Sequence, residues 1–348
     1  MIKKLLIGFA AILLIAAASF GWWFYRELHR TITHGKSGDY IEIPRGSSPD
    51  AIAATLVREG VLRRKWPLVL YIKLARKAKL IKSGEYRFPS PISPLGVLKK
   101  LQEGEQRLSR LTIPEGWTRW DIADALAHME ELHLRDSDEA LALMDDPAGI
   151  RDLDPVATNL EGYLFPATYS YPPDTKPSAV IGGMVKRFHQ EWTPERADRA
   201  RALKMTPREI VIVASLIESE AKLKEERPMI ASVIYNRLNR HIALGIDSTV
   251  VYASKLAGKW RSDGKVYLSD VNRRSPYNTR LFSGLPPGPV GNPGESSIDA
   301  ALNPAPTEYL YYVREPSRDD GAHNFYAKES DFQKGVKALR DWERTQGQ

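Results

Sequence analysis

One carboxylate stands out by its setting. Thr206-Pro207-Arg208-Glu209 has the form of a helix start, with Thr as N-cap, Pro at the first helical position and Glu completing a capping box. The next eight residues, Ile210-Val211-Ile212-Val213-Ala214-Ser215-Leu216-Ile217, are apolar almost all round, which predicts a helix buried in a core. Glu218 follows. At about 100° per residue, Val211, Ala214, Glu218 and Ala221 share one stripe, so the carboxylate projects from a small-residue face near the C-terminal end of a buried helix. Desolvation and the negative end of the helix dipole both disfavour the anion there, and a carboxylic acid kept neutral is what a general acid requires. Glu220 lies about 200° further round and looks elsewhere. The plain alternative for Glu218 is a solvated helix-end residue.

The elements that would frame this group follow it in the chain. A helix over Arg227 to Arg240 carries Ile230, Val233, Ile234 and Leu238 at helical spacing, with Asn236 and Arg237 flanking that face. Asp247-Ser248-Thr249 then either caps a third helix or presents hydroxyls to a ligand. Ser275-Pro276-Tyr277-Asn278-Thr279, Ser283-Gly284-Leu285-Pro286-Pro287-Gly288-Pro289 and Gly291-Asn292-Pro293-Gly294 read as stiff loops, because Pro fixes φ and Gly permits φ above zero. Tyr277 and Asn278 are residue types that bind sugars, the ring stacking on a pyranose face and the amide exchanging hydrogen bonds with hydroxyls. Simple turn-making is the competing reading of the Pro-Gly loop.

Other chemistries fit poorly. The seven histidines are scattered, and His128 and His133 at a spacing of five do not share a helix face, so neither a zinc site nor any other metal is expected. Neither Gly-x-Ser-x-Gly nor a P-loop occurs, and Ser262-Asp263-Gly264-Lys265 reads as a turn rather than a serine-lysine pair. With no cysteine, thiol nucleophiles and disulfides are excluded.

The 348 residues suggest roughly two domains. A 43% hydrophobic and 27% charged composition is that of a folded protein, and a net charge of +7 suits nucleic acid, anionic lipid or an acidic polymer equally. The first residues narrow this. Lys3 and Lys4 precede an uncharged run from Leu5 to Tyr25, whose length as a helix is about 30 Å, one bilayer core. The lysines favour a cytoplasmic N-terminus, and Trp22, Trp23 and Tyr25 would meet the far interface as an aromatic belt. A cleaved signal peptide ending near Ala16-Ala17-Ala18 is the alternative; the apolar run continues past those alanines. Either way the body is exported, so nucleic acid is not an expected partner.

The fold class expected is α+β. Residues 1–4 would be cytoplasmic, 5–25 the anchor and 26–38 a polar linker. Ile43-Pro44-Arg45-Gly46 leads into Pro49 to Leu56, and Ile113-Pro114-Glu115-Gly116 leads into Trp120 to Leu126 in a matching pattern, giving two strand-turn-helix units. Between them Ser83 to Phe88 reads as a strand and Pro94 to Gln102 as a helix with Leu95, Leu98 and Leu101 on one side. Residues 39–150 are therefore taken as an α+β region and 151–348 as a mixed, mainly helical domain. The basic residues Arg58, Arg63, Arg64, Lys65, Lys73, Arg76, Lys77, Lys79 and Lys82 read as a solvated helix face, with anionic lipid as the minority reading.

Asn159 to Pro166, Ala214 to Glu218, Ala231 to Leu238, Ile246 to Tyr252, Ser275 to Thr279 and Gly284 to Pro289 together resemble, in order and spacing, the motifs of the YceG-like (MltG) family of endolytic murein transglycosylases. The resemblance implies that residues 39–150 are LysM-like and bind substrate, that 151–348 form the catalytic domain, and that Glu218 is the catalytic acid. It implies cleavage of the MurNAc-GlcNAc bond of nascent peptidoglycan strands with 1,6-anhydro-MurNAc ends, without cofactor or metal. It also implies a single-pass protein of the inner membrane with an extracytoplasmic catalytic domain, coupled to penicillin-binding-protein synthases. Asn236, Asp247, Ser248, Thr249, Tyr277, Asn278 and Glu161 are candidates to line the groove, or else caps and buried hydrogen-bonding residues. His323-Asn324-Phe325 matches the family near its end, but Asp331-Phe332 stands where a second His is expected. Two other functions stay open: a non-catalytic peptidoglycan-binding scaffold, and a hydrolase using a second carboxylate, Asp247 being the nearest candidate.

Overall fold

The computed structural model describes every residue except Met1, Arg45, 105–107, Asp174, Ser262 and 347–348, with the side chains of residues 2–6 and of Lys79 also left out. The flanking charges of Lys3 and Lys4, Arg45 of the first repeat, Lys79 of the basic run and Ser262 of the expected turn lie outside the described residues. The chain divides into Met1–Ser109 and Arg110–Gln348. It is α+β and mostly helical, with its strands in three separate two-stranded pairs.

In the first unit, α1 (Ile2–His29) runs past the expected linker start at 26, and Ile7–His29 is long and apolar enough to cross a membrane. The ring of Trp23, expected in an aromatic belt, stacks at 5.1 Å on Trp66, which roots the end of α1 on the folded module. The linker is also tied down. Ile32 and Ile92 exchange backbone hydrogen bonds, and the His34 amide donates to Ser90 Oγ at 2.9 Å. β1 (Ile41–Ile43), α2 (Pro49–Arg58), α3 (Trp66–Leu74), β2 (Gly84–Tyr86) and α4 (Pro94–Glu103) follow, with β1 antiparallel to β2. They enclose a core that includes Ile43, Leu56, Leu68, Ile72, Tyr86 and Leu101. On α4 the buried stripe is Pro94, Val97, Leu98 and Leu101, so Val97 takes the place expected of the half-exposed Leu95.

The second unit comprises β3 (Ser109–Thr112), α5 (Arg119–Ala127), α6 (Ser137–Met144), β4 (Thr168–Tyr171), α7 (Pro177–Glu191), α8 (Pro194–Ala202), α9 (Pro207–Glu220), α10 (Arg227–Asn239), α11 (Asp247–Leu256), α12 (Leu268–Val271), α13 (Glu295–Leu302), β5 (Tyr311–Arg314), β6 (His323–Tyr326) and α14 (Glu329–Gln346). Both repeat copies form a strand, a left-handed glycine (Gly46 at φ 78°, Gly116 at φ 79°) and a helix. The second copy does not belong with the first, however. β3 pairs with β4, Ile113 N–H donates to Ala167 O, and Ile122 and Leu126 share one core with Ile210 to Ile217. This shared core is why the division falls at 109/110 and not near 150.

α9 is the centre of that core. Its expected capping box is present: Thr206 N–H donates to Glu209 Oε2 at 2.8 Å and Glu209 N–H to Thr206 Oγ1 at 3.2 Å. All eight residues from Ile210 to Ile217 are buried. α13 and α10 pack against it, so the C-terminal end of α9 is walled by the starts of both helices.

Candidate active site

Glu218 emerges from the core at the last turn of α9, with 7% of its side chain exposed. Arg227, the first residue of α10, donates from Nη2 to Glu218 Oε1 at 2.8 Å and from Nη1 to Ser296 Oγ at 2.6 Å. The amide of Gly294, the N-cap of α13, donates to Glu218 Oε2 at 2.9 Å. Both contacts are made by donors, so this is the geometry of a carboxylate accepting one bond on each oxygen. The second lone pair of each oxygen is left for a proton or a substrate hydroxyl.

The turn that ends the second repeat faces this carboxylate. Glu115 Oε2 lies 3.6 Å from Arg227 Nη2, giving the guanidinium a second acidic neighbour. Gly116 presents only Cα hydrogens toward Glu218: a Cβ there would lie 3.5 Å from Glu218 Cγ. The turn is bolted to the Gly291-Asn292-Pro293-Gly294 loop. Gly116 N–H donates to Asn292 O at 2.8 Å, and Asn292 returns both its backbone N–H and its Nδ2 to Trp117 O, each at 2.8 Å. Close approach accounts for the glycines of that loop. A Cβ at Gly291 would lie 2.7 Å from the Gly116 carbonyl oxygen, and one at Gly294 would overlap the Glu115 carboxyl.

Glu161 is a second buried carboxylate, 2% exposed, and it does not face a groove. Its oxygens accept from the Arg119 amide at 3.1 and 3.2 Å, from Tyr252 OH at 3.1 Å and from Asn292 Nδ2 at 3.1 Å. Burial pushes its carboxyl up to about 7, against the opposing pull of the Arg119 amide and the Tyr252 hydroxyl. By gripping Asn292 it acts on the loop that supplies Gly294.

Most of the other candidates spend their polar groups on the protein itself. Asn236 Nδ2 donates to Thr307 O at 2.8 Å and Tyr309 O at 2.9 Å, pinning that loop to α10. Asn278, fully buried, donates to Val271 O and Arg273 O and accepts from Arg280 N–H. Thr249, also fully buried, donates to Ile246 O and meets Thr279 Oγ1 at 2.9 Å, so it secures the start of α11. These bonds fit the second of the two readings open for the three residues, caps and hydrogen-bonding residues of the fold, since a buried or half-buried amide or hydroxyl takes the nearest backbone partner. Asp247 is exposed and ion-paired with Arg280, Ser248 Oγ shares a hydrogen bond with Ser219 Oγ at 2.7 Å, and the half-buried Tyr277 packs its ring 4.9 Å from that of Tyr252.

Glu220 does turn away from Glu218, and it is not idle. It accepts from Tyr312 OH at 2.7 Å, and desolvation raises its carboxyl, with Asp247 adding to the rise and His323 and Arg280 opposing it. His323 binds Glu226, the residue before Arg227, through both its amide and Nδ1 at 2.7 Å. Where a second His was expected, Phe332 stacks at 5.0 Å on Tyr311, so packing and not hydrogen bonding closes α14 onto β5. Lys265 N–H donates to Asp263 Oδ1, as the turn reading of that segment requires. Among the described residues, no group of three His, Cys, Asp or Glu is placed to hold a metal ion.

Four residues at the site were not candidates from the sequence: Arg227, Glu115, Gly294 and Ser296. The Pro-x-Gly repeat was the available signal for Glu115, and the Gly-Asn-Pro-Gly loop for Gly294. For Arg227 there was none beyond its place at a helix start.

The model of the YceG-like family matches residues 41–338. An endolytic murein transglycosylase of Bacillus subtilis is 35% identical over 289 residues, covering 78% of each chain. One of Streptococcus pneumoniae is 31% identical over 339 residues, covering 90% of this chain and 61% of its own length. The crystal structure of a yceG-like protein of Listeria monocytogenes, 32% identical, matches with a TM-score of 0.57 over 85% of this chain and 97% of that one.

Proposed function

The chain belongs to the YceG-like family, and on that premise we propose that it is an endolytic murein transglycosylase, cutting glycan strands of peptidoglycan internally with Glu218 as the single acid and base. The observation that carries this reading is the setting of Glu218: nearly buried, held by Arg227 and the Gly294 amide, and faced by the exposed, Cβ-less Gly116. Its relatives from Bacillus subtilis and Streptococcus pneumoniae carry the same activity in their names.

In this mechanism Glu218 carries a proton on a lone pair that neither donor occupies and delivers it to the oxygen linking MurNAc to GlcNAc. The carboxylate so formed is stabilised where it stands by Arg227 and the start of α13. It then takes the proton of the MurNAc C6 hydroxyl as that oxygen attacks C1, closing a 1,6-anhydro ring. Holding the hydroxyl beside C1 supplies the effective concentration that a hydrolase would obtain from water. Asp247, Ser248 and Tyr277, which keep accessible surface, orient the glycan.

The helix Ile7–His29 tethers the protein once in the inner membrane with its N-terminus in the cytoplasm, and the rest acts on nascent strands outside. The α+β module behind it is a LysM-like glycan-binding region, and penicillin-binding-protein synthases supply the strands. Sacculi digested by the full-length protein should yield anhydro-muropeptides by mass spectrometry, and Glu218→Gln should yield none while keeping the wild-type melting temperature. Reducing ends instead of anhydro ends would show a two-carboxylate hydrolase. Unchanged cleavage by the Gln variant would remove Glu218 from the chemistry.

A further inference from the structure

A cleft of about 660 Å³ in the second unit is unused by the chemistry above. Three of the chain's eight tryptophans, Trp117, Trp120 and Trp260, line it together with Asp121, Asp124 and Lys255. Its volume is that of a small-molecule site. The chain brings these rings from three places: Trp117 from the turn after β3, Trp120 from the first turn of α5, and Trp260 from just beyond α11. Trp120 is fixed by an edge-on contact with Tyr252 at 5.1 Å and by the Arg119 guanidinium at 4.8 Å from its ring. The Trp117 and Trp260 rings make no stacking or cation contact with any described residue, although both are only partly exposed.

The polar lining is equally specific. Lys255 Nζ lies 3.3 Å from Thr118 Oγ1 and 3.4 Å from Asp121 Oδ1, so its charge is matched within the wall. Asp124 keeps an exposed carboxylate, with Ser137 Oγ donating to it at 3.2 Å and Nδ1 of His128, also in the cleft wall, 3.8 Å away. Aromatic faces beside carboxylate acceptors and one ammonium donor are the chemistry for a neutral polyhydroxylated ring, whose C–H face stacks and whose hydroxyls and N-acetyl group exchange hydrogen bonds. A strongly anionic ligand would meet two aspartates, set against one lysine and the ring of His128.

The link to the active carboxylate is through the chain: Gly116, which faces Glu218, is followed directly by Trp117 of the cleft wall. We infer that this three-tryptophan cleft is a binding subsite for an N-acetylhexosamine ring of the glycan strand. The identity of the strand rests on the transglycosylase reading; the saccharide specificity of the cleft does not.

The test is binding, read separately from cleavage. Full-length protein in detergent, carrying Glu218→Gln so that no substrate is consumed, is titrated with chitohexaose and with amidase-stripped glycan strands while tryptophan fluorescence is followed. Saturable changes with both ligands are expected, and Trp260→Ala should weaken both affinities roughly tenfold, with Trp260→Phe recovering part of the loss. Asp124→Asn, at an exposed position, provides a second probe that does not disturb packing and should weaken binding roughly threefold. Unchanged affinity in the folded Trp260→Ala and Asp124→Asn variants overturns the inference. So does a loss confined to a third ligand, glycan strands that keep their peptide stems, titrated in parallel, which would assign the cleft to the peptide. If wild-type protein formed no anhydro ends yet bound chitohexaose through Trp260, the transglycosylase reading would fail and the subsite would stand.

Discussion

Glu161 and Glu218 are both buried glutamates of one folding unit, and Asn292 and Gly294 of a single loop bind one each. Their difference lies in what remains after the protein's own bonds are made. Glu161 is enclosed by four neutral donor contacts and has no cation on its oxygens. Glu218 has two, one of them from an arginine, and a glycine turn facing it. A carboxylate with all its acceptor sites engaged organises structure, whereas one with spare lone pairs and a fixed counter-charge is equipped to move a proton.

The comparison is sharpened most by removing the acid chemistry from each in turn. Glu218→Gln keeps the shape and loses the proton, and activity should fall by about 10²- to 10⁴-fold with little change in melting temperature. Glu161→Gln should leave far more activity, because no substrate reaches that group. Equal losses of anhydro-muropeptide release in the two folded variants would break the distinction.

The glycines beside the two residues make a second contrast. A Cβ on Gly162 (φ 87°) would overlap Pro289 Cγ and lie 2.8 Å from Val211 Cγ1, both held in the core. Gly162→Ala should therefore cost about 3–5 kcal/mol in urea unfolding, the sum of a left-handed alanine and an overpacked core. A cost near 1 kcal/mol would mean that the region around Glu161 is softer than its hydrogen bonding implies.

Much of this was legible in the chain. The capping box and the all-apolar run placed α9 and the exit of Glu218 correctly, because local chemistry and burial both act within one helix. The repeat was also read correctly as strand, glycine turn and helix. What it did not disclose was that Gly46 and Gly116 serve different units, since pairing of β3 with β4 and the bonds from Gly116 to Asn292 span long sequence separations. The roles of Asn236, Thr249 and Asn278 were hidden for a related reason. A polar side chain in a motif looks the same whether its partner is a sugar or a distant carbonyl, and only the fold brings Thr307, Tyr309 and Val271 to them.

The next effect is a pH dependence that Glu161 has and that Glu220, also raised by desolvation, adds to. The Glu161 carboxyl titrates near 7 in the fold, raised by burial from an ordinary 4.5, so between those values the folded chain holds a proton that the unfolded chain has released. The contribution of this group to stability is therefore greatest below 4.5 and declines as pH rises toward 7, by about 3 kcal/mol in all. Glu161→Gln should flatten that slope in urea titrations from pH 4.5 to 7.5. A slope that persists undiminished in the Gln variant would assign it to another group, the raised carboxyl of Glu220 being the first to examine.

The smallest change is the most selective. Gly116→Ala adds one methyl group at φ 79°, with Glu218 Cγ at an ordinary contact distance of 3.5 Å and no other atom within 4 Å. The backbone cost is about 1–2 kcal/mol, well below that at Gly162, because the strain of a left-handed alanine is not joined by a clash. The methyl nevertheless stands against Glu218, and on the proposed mechanism it would crowd the arriving glycosidic oxygen. Cleavage should therefore fall about tenfold further than Trp260→Ala reduces it, even at substrate concentrations that saturate the protein, since the obstruction is at the reacting group and not at the strand's distant rings. If Gly116→Ala cleaved sacculi at the wild-type rate while melting slightly earlier, the glycine would be a turn residue only, and the approach to Glu218 would have to lie on another side.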